Sequence, residues 1–135
     1  MSQLRPVVVL VAEDDEADYD FLKSMLRETP LVSLYRVSDG EQAVNYLEGT
    51  GSFSDRQAFP VPDILILDLN LPKISGLDLL ERFGSRRSLA GMRISVLSGS
   101  DNPADRERAR RTGAHDYFVK PLSLGHIAAL FSRRG

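Results

Sequence analysis

The chain contains no cysteine, which excludes a disulfide framework and any thiolate metal site. Histidine is scarce as well: His115 and His126 are the two present, and neither has a partner at metal-ligand spacing. No apolar run approaches the roughly 20 residues needed to cross a bilayer. The segment Met1 to Leu10 lacks the basic region and long apolar stretch of a signal peptide, and no low-complexity tract interrupts the sequence. These absences lead to the expectation of a soluble, cytoplasmic protein.

What is present suffices for one packed core. The 135 residues are 42% hydrophobic and 27% charged, which predicts a single domain over residues 1–135. A chain of this length buries roughly two-thirds of the surface its unfolded form exposes. The net charge of −2 argues against nonspecific binding to nucleic acid, but its distribution is uneven. Residues 1–80 carry 14 acids and 6 bases, whereas residues 81–135 carry 5 acids and 11 bases. Arg106, Arg108, Arg110 and Arg111 read as a solvated helix face, with a partner or dimer surface as the alternative.

Strand and helix patterns alternate along the whole chain. Leu4 to Val11 is an almost unbroken apolar run rich in β-branched residues, and it leads into the acidic turn Glu13, Asp14, Asp15, Glu16. Phe21, Leu22, Met25 and Leu26 then recur at helical spacing within a helix over Ala17 to Arg27, which Pro30 ends. Val32 to Val37 is the second strand, and Ser38-Asp-Gly-Glu41 predicts a capping box for a helix that turns Ala43, Val44 and Leu47 inward. Glu48 to Pro62, rich in Gly, Ser and Pro, reads as a long surface loop before the strongest strand, Asp63 to Asp68. A helix over Ser75 to Phe83 with Leu77, Leu80 and Phe83 inward and a strand at Met92 to Leu97 follow. Asn102 and Pro103 are an N-cap and first-turn proline, and Gly113 stops that fourth helix. His115 to Val119 is a short fifth strand, and Ser123 caps a last helix carrying Ile127, Leu130 and Phe131.

Continuously apolar strands separated by helices imply an α/β fold, a doubly wound (βα)5 flavodoxin-like domain with a five-stranded parallel sheet. In strand order 2-1-3-4-5, strands 1 and 3 meet at the switch point, where such sheets bind ligands at their carboxyl ends. Glu13, Asp14 and Asp68 stand at those two ends. Carboxylates gathered there repel one another, by about 4 kcal/mol at about 4 Å for an effective dielectric near 20. A cation should relieve them, and hard oxygen ligands suit Mg2+. A solvated turn capping the first helix explains Asp15, Glu16 and Asp18 but not Asp68, a carboxylate closing an apolar strand. Lys120, followed by Pro121, ends strand 5 and brings an amine to the same edge, and Ser98 at the end of strand 4 brings a hydroxyl. A carboxylate nucleophile, a divalent cation, a lysine and a hydroxyl donor are the parts for phosphoryl transfer to aspartate.

Taken together, Glu13-Asp14, Asp68-Leu-Asn70-Leu-Pro72, Ser98-Gly99 and Phe118-Val119-Lys120-Pro121 resemble, in order and spacing, the signature of response-regulator receiver domains over almost the whole chain. The resemblance implies that Asp68 is the phosphoryl acceptor. It implies further that Asp14, Asp68 and the backbone carbonyl of Asn70 bind Mg2+, with Glu13 acting through a water of the metal. Lys120 would pair with the acyl phosphate, Ser98 would donate to a phosphate oxygen after modification, and Gly99 would leave room for an incoming donor. Tyr117 is similar to the aromatic switch residue of this family, which turns inward as the loop after strand 4 closes. His115 and His126 are read as structural or solvated, not as phosphoryl-transfer histidines. The long loop Gly49 to Pro62 and the run Leu67 to Lys73 are similar to stand-alone receivers that partner phytochrome-type and other hybrid histidine kinases. The last helix departs from some of these by ending at Gly135, which leaves a homodimer through that helix open.

The implied function is a single-domain response regulator without an output domain, phosphorylated by a sensor histidine kinase or phosphotransfer protein. Its downstream target would be a protein, with no direct contact to nucleic acid or membrane, and it would catalyse nothing beyond its own phosphorylation and dephosphorylation. Two rivals remain in view. Phosphohydrolases of the haloacid-dehalogenase type also use a strand-end aspartate, Mg2+ and a lysine, but they require a second carboxylate two residues after the nucleophile, where this chain has Asn70. A receiver-shaped module that is never phosphorylated is the other.

Overall fold

In the computed structural model, which describes residues 5–27, 29, 31–84 and 91–132, five parallel strands form one sheet in the order β2-β1-β3-β4-β5. The strands are β1 (Val7–Ala12), β2 (Val32–Val37), β3 (Ile64–Asp68), β4 (Arg93–Ser98) and β5 (Asp116–Val119). The helices are α1 (Glu16–Leu26), α2 (Gly40–Glu48), α3 (Gly76–Phe83), α4 (Pro103–Arg111) and α5 (Leu124–Ser132). The expected flavodoxin-like architecture and strand order are both present. Leu4, Pro30 and the tail beyond Ser132 lie outside the described residues.

The strands read as continuous apolar runs because both sheet faces are covered. Leu10, Ala12, Leu65, Leu67, Ile94 and Val96 point into a core closed by α2, α3 and α4. Val9, Val11, Ile64, Ile66 and Leu97 point the other way, against Leu22 and Leu26 of α1 and Ile127 and Leu130 of α5. Alternation of side chains along a strand assigns each neighbour to the opposite layer.

Several local expectations are corrected. α1 begins at Glu16, because the Asp15 side chain caps it by accepting the Asp18 N–H at 2.8 Å. Of the apolar residues at helical spacing in α1, Leu22 and Leu26 carry the stripe that meets the sheet, while Phe21 is 48% exposed. The cap of α2 is Asp39 rather than Ser38, its carboxylate accepting the Gln42 N–H while Gln42 Oε1 accepts the Ser38 N–H, both at 2.8 Å. Aspartate is as good a cap as serine, and it stands one residue closer to the first turn. Leu77 is half-buried, and Leu79 takes the deep position in α3 with Leu80 and Phe83.

The segment after α2 is more ordered than its composition suggests. It contains one turn of 3-10 helix at Gly51–Phe53, and Phe53 and Phe59 pack edge to face with ring centroids 5.1 Å apart. Arg56 donates to the carbonyls of Tyr46 at 2.8 Å, Leu47 at 3.0 Å and Phe59 at 3.1 Å. A planar guanidinium thus satisfies the carbonyls that the end of α2 leaves open.

Candidate functional site

Three parallel strands deliver the functional side chains to one edge. Ala12 pairs with Leu67, so Glu13 and Asp68 emerge side by side just beyond that pair. Ser98 pairs with Val119, which brings Lys120 out beside them. One carboxylate oxygen from each of Glu13, Asp14 and Asp68 lies within 4.8 Å of the others. Glu13 and Asp68 are buried, while Asp14 is exposed and leaves the cluster open to solvent.

Lys120 Nζ lies 2.9 Å from Asp68 Oδ2, 3.1 Å from Glu13 Oε1 and 2.8 Å from Asp18 Oδ2. The remaining oxygens are held by backbone: Asp68 Oδ1 accepts the Asn70 N–H at 2.9 Å and Glu13 Oε2 accepts the Asp15 N–H at 3.1 Å. Burial, reinforced by the neighbouring Asp68 carboxylate, pushes the Glu13 carboxyl up to about 7, against the pull of the Asp15 N–H and Lys120. Burial alone would lower Lys120, but its bonds to Asp18, Asp68 and Glu13 outweigh that and raise it. Such an edge has more negative charge than one amine neutralises, and its donors are hard oxygens on partly fixed side chains. Those residues fit a small divalent cation.

The other expected residues surround this cluster. Ser98 is buried and its Oγ accepts the Ser100 N–H at 3.0 Å, which leaves the hydroxyl proton free to donate. A side chain at Gly99 would meet nothing within 4 Å, so the approach past it is open. Tyr117 is half-buried and donates its hydroxyl to the Ser100 carbonyl at 2.9 Å, with the Arg106 guanidinium 4.7 Å above its ring. Asn70 is exposed beside Asp68. Both histidines bond backbone: His115 Nδ1 accepts the Ile94 N–H at 3.0 Å, and His126 Nδ1 accepts the Ser123 N–H at 3.1 Å.

Two residues escaped the sequence reading. Asp18 is more than part of a solvated turn: its carboxylate reaches Lys120 from the first turn of α1. Its spacing does not set it apart from the other acids of that turn. Arg36, near the end of β2, donates to the Glu13 carbonyl at 3.1 Å and to Glu16 at 2.6 Å, and it lies 4.4 Å over the Tyr19 ring. It braces the turn that carries the acids, and nothing in a strand pattern foretells that reach.

An acid pocket and one lysine at the carboxyl edge of a doubly wound parallel sheet define a class of protein, and comparison with known proteins names it. The model of the response regulator receiver domain matches residues 9–132, and the chain belongs to that family of two-component signalling proteins. This is a family of signalling receivers and not one of enzymes. The transcriptional regulatory protein PdtaR of Mycobacterium tuberculosis is 31% identical over 122 residues, covering 90% of this chain and 53% of PdtaR. The chain spans about half the length of the curated relatives it matches. The crystal structure of the phosphorylated cyanobacterial phytochrome response regulator RcpA is similar with a TM-score of 0.81 and 27% identity, over 93% of this chain and 88% of that one. The Mn2+-bound response regulator Rcp1 gives a TM-score of 0.82 and 26% identity over 94% of each chain. Among the described residues no helix is long and apolar enough to cross a membrane.

Proposed function

We propose that this chain acts as a response-regulator receiver that accepts a phosphoryl group on Asp68 from a histidine kinase or phosphotransfer protein, with Mg2+. The observation that carries this reading is the buried Asp68 carboxylate, bonded by Lys120 at 2.9 Å and flanked by Glu13 and Asp14 within 4.8 Å. Asp14, Asp68 and the Asn70 carbonyl would hold the cation, with Glu13 acting through water. When bound, Mg2+ supplies positive charge to the phosphoryl oxygens. That Rcp1 is known in a Mn2+-bound form and RcpA in a phosphorylated form supports this reading.

An oxygen of Asp68 attacks phosphorus in line, and the bond from phosphorus to the donor's imidazole nitrogen breaks, its electron pair leaving with the imidazole. From acetyl phosphate the leaving group is acetate. Lys120 and Ser98 then donate to the new phosphoryl oxygens, and Tyr117 exchanges its bond to the Ser100 carbonyl for an inward position. Those movements bias a surface formed by α4, β5 and α5, which would contact a downstream protein or pass the group along a relay. RcpA is a phytochrome response regulator, which favours a phytochrome-type or hybrid kinase as the donor. Asn70 stands where a phosphohydrolase needs its acid, which disfavours turnover of phosphate esters.

Mixing the chain with a histidine-phosphorylated kinase or phosphotransfer protein from the same operon tests the reading. Label should move to the unaltered chain and not to Asp68→Asn. Label that stays on every such donor, or that reaches Asp68→Asn equally, would remove it. Chemical-shift changes around Asp68, Ser98 and Tyr117 on adding beryllofluoride and Mg2+ would exclude the module that is never phosphorylated.

A further inference from the structure

An ammonium has three N–H groups and no acceptor. Lys120 donates to Asp68 at 2.9 Å and to Asp18 at 2.8 Å, and Glu13 Oε1 lies 3.1 Å from the same nitrogen, so three carboxylates already compete for it. Phosphorylation replaces the single charge of the Asp68 carboxylate with an acyl phosphate that carries up to two, and it sets three strong acceptor oxygens beside this amine. To serve them, Lys120 has to drop a bond. Glu13 is buried and its second oxygen is fixed by the Asp15 N–H, and Asp68 carries the new group itself. Asp18 is different: its side chain is 45% exposed, and water can replace the lysine there.

We propose that Asp18 is a positioning residue that holds Lys120 while Asp68 is unmodified, yields it to the arriving phosphoryl group, and thereby slows phosphorylation of Asp68. This rests on the functional reading above. The carboxylate of Asp18 opposes the reaction twice, by competing for the amine and by setting a negative charge beside the path of an anionic donor. For a partly exposed charge at this range the two effects together change the rate on the order of fivefold.

The test is the initial rate of phosphorylation by acetyl phosphate with Mg2+, read by phosphate-affinity electrophoresis, for the unaltered chain, Asp18→Asn, Asp18→Glu and Asp68→Asn. Asp18→Asn keeps the shape and leaves the cap of α1 intact, because that bond uses the backbone N–H of residue 18. It should react about fivefold faster, with the gain shrinking as salt screens the charge. Asp18→Glu restores the charge and should reverse most of the gain, which a merely structural role would not require. An Asp18→Asn rate equal to or below that of the unaltered chain, or an Asp18→Glu rate as high as that of Asp18→Asn, would overturn the proposal while leaving Asp68 as acceptor. No product from the unaltered chain, or equal product from Asp68→Asn, would instead remove the functional reading and this inference with it.

Discussion

At Lys120 one amine meets three carboxylates, two of them buried. Taking it away strands Asp68 and Glu13 beside each other without a counter-charge, which is costly inside a protein. Lys120→Ala should therefore lose about 1–3 kcal/mol of stability in chelator, with much of it restored by millimolar Mg2+ as the cation replaces the missing charge. Urea unfolding with and without EDTA measures both quantities, and an unchanged midpoint would mean that solvent already screens these pairs. The acids and the lysine were legible in the sequence because each closes a strand, and strand ends of a doubly wound sheet converge. Asp18 and Arg36 were not, because their roles depend on how far a side chain reaches across from α1 or β2.

Between elements, close backbone approach fixes where the site residues stand. Gly76 opens α3 against β3, and a Cβ there would lie 2.6 Å from the Asp68 carbonyl oxygen and 2.7 Å from Leu69 Cα. Gly76→Ala should push on the strand end itself, costing roughly 1–3 kcal/mol by overpacking and slowing phosphorylation at the same time. Thermal unfolding and the labelling rate should fall together; a stable variant with full labelling would show that the edge tolerates displacement. The segment after α2 offers a separate test. Arg56→Ala removes three hydrogen bonds to carbonyls around the aromatic cluster and should cost about 2 kcal/mol, with earlier proteolysis between Gly49 and Pro62. Arg56→Lys should recover only part, since a single ammonium lacks the planar fork. Gly, Ser and Pro content announced a loop here but not its internal packing. The ring contacts among Tyr35, Tyr46, Phe53 and Phe59 span residues that no short window joins.

Over the whole molecule, the periodicity of apolar residues was enough to foresee five strands, five helices and their order, because covered parallel strands and amphipathic helices leave opposite signatures. The uneven charge resolves into local pairs. Arg106 meets Asp101, Arg108 meets Glu81 of α3, and Arg110 meets Glu107, so much of the positive charge of α4 is paired with nearby carboxylates. The acidic surplus is concentrated instead at the sheet edge where Glu13, Asp14 and Asp68 gather. Incubation of the chain with acetyl phosphate, followed by intact mass analysis and mapping of the modified residue, decides whether Asp68 is the metal-dependent acceptor. One phosphoryl group should appear, on Asp68, present with Mg2+ and lost with chelator or in Asp68→Asn. A phosphoryl group on any other residue, or one that forms equally without a divalent cation, would contradict it.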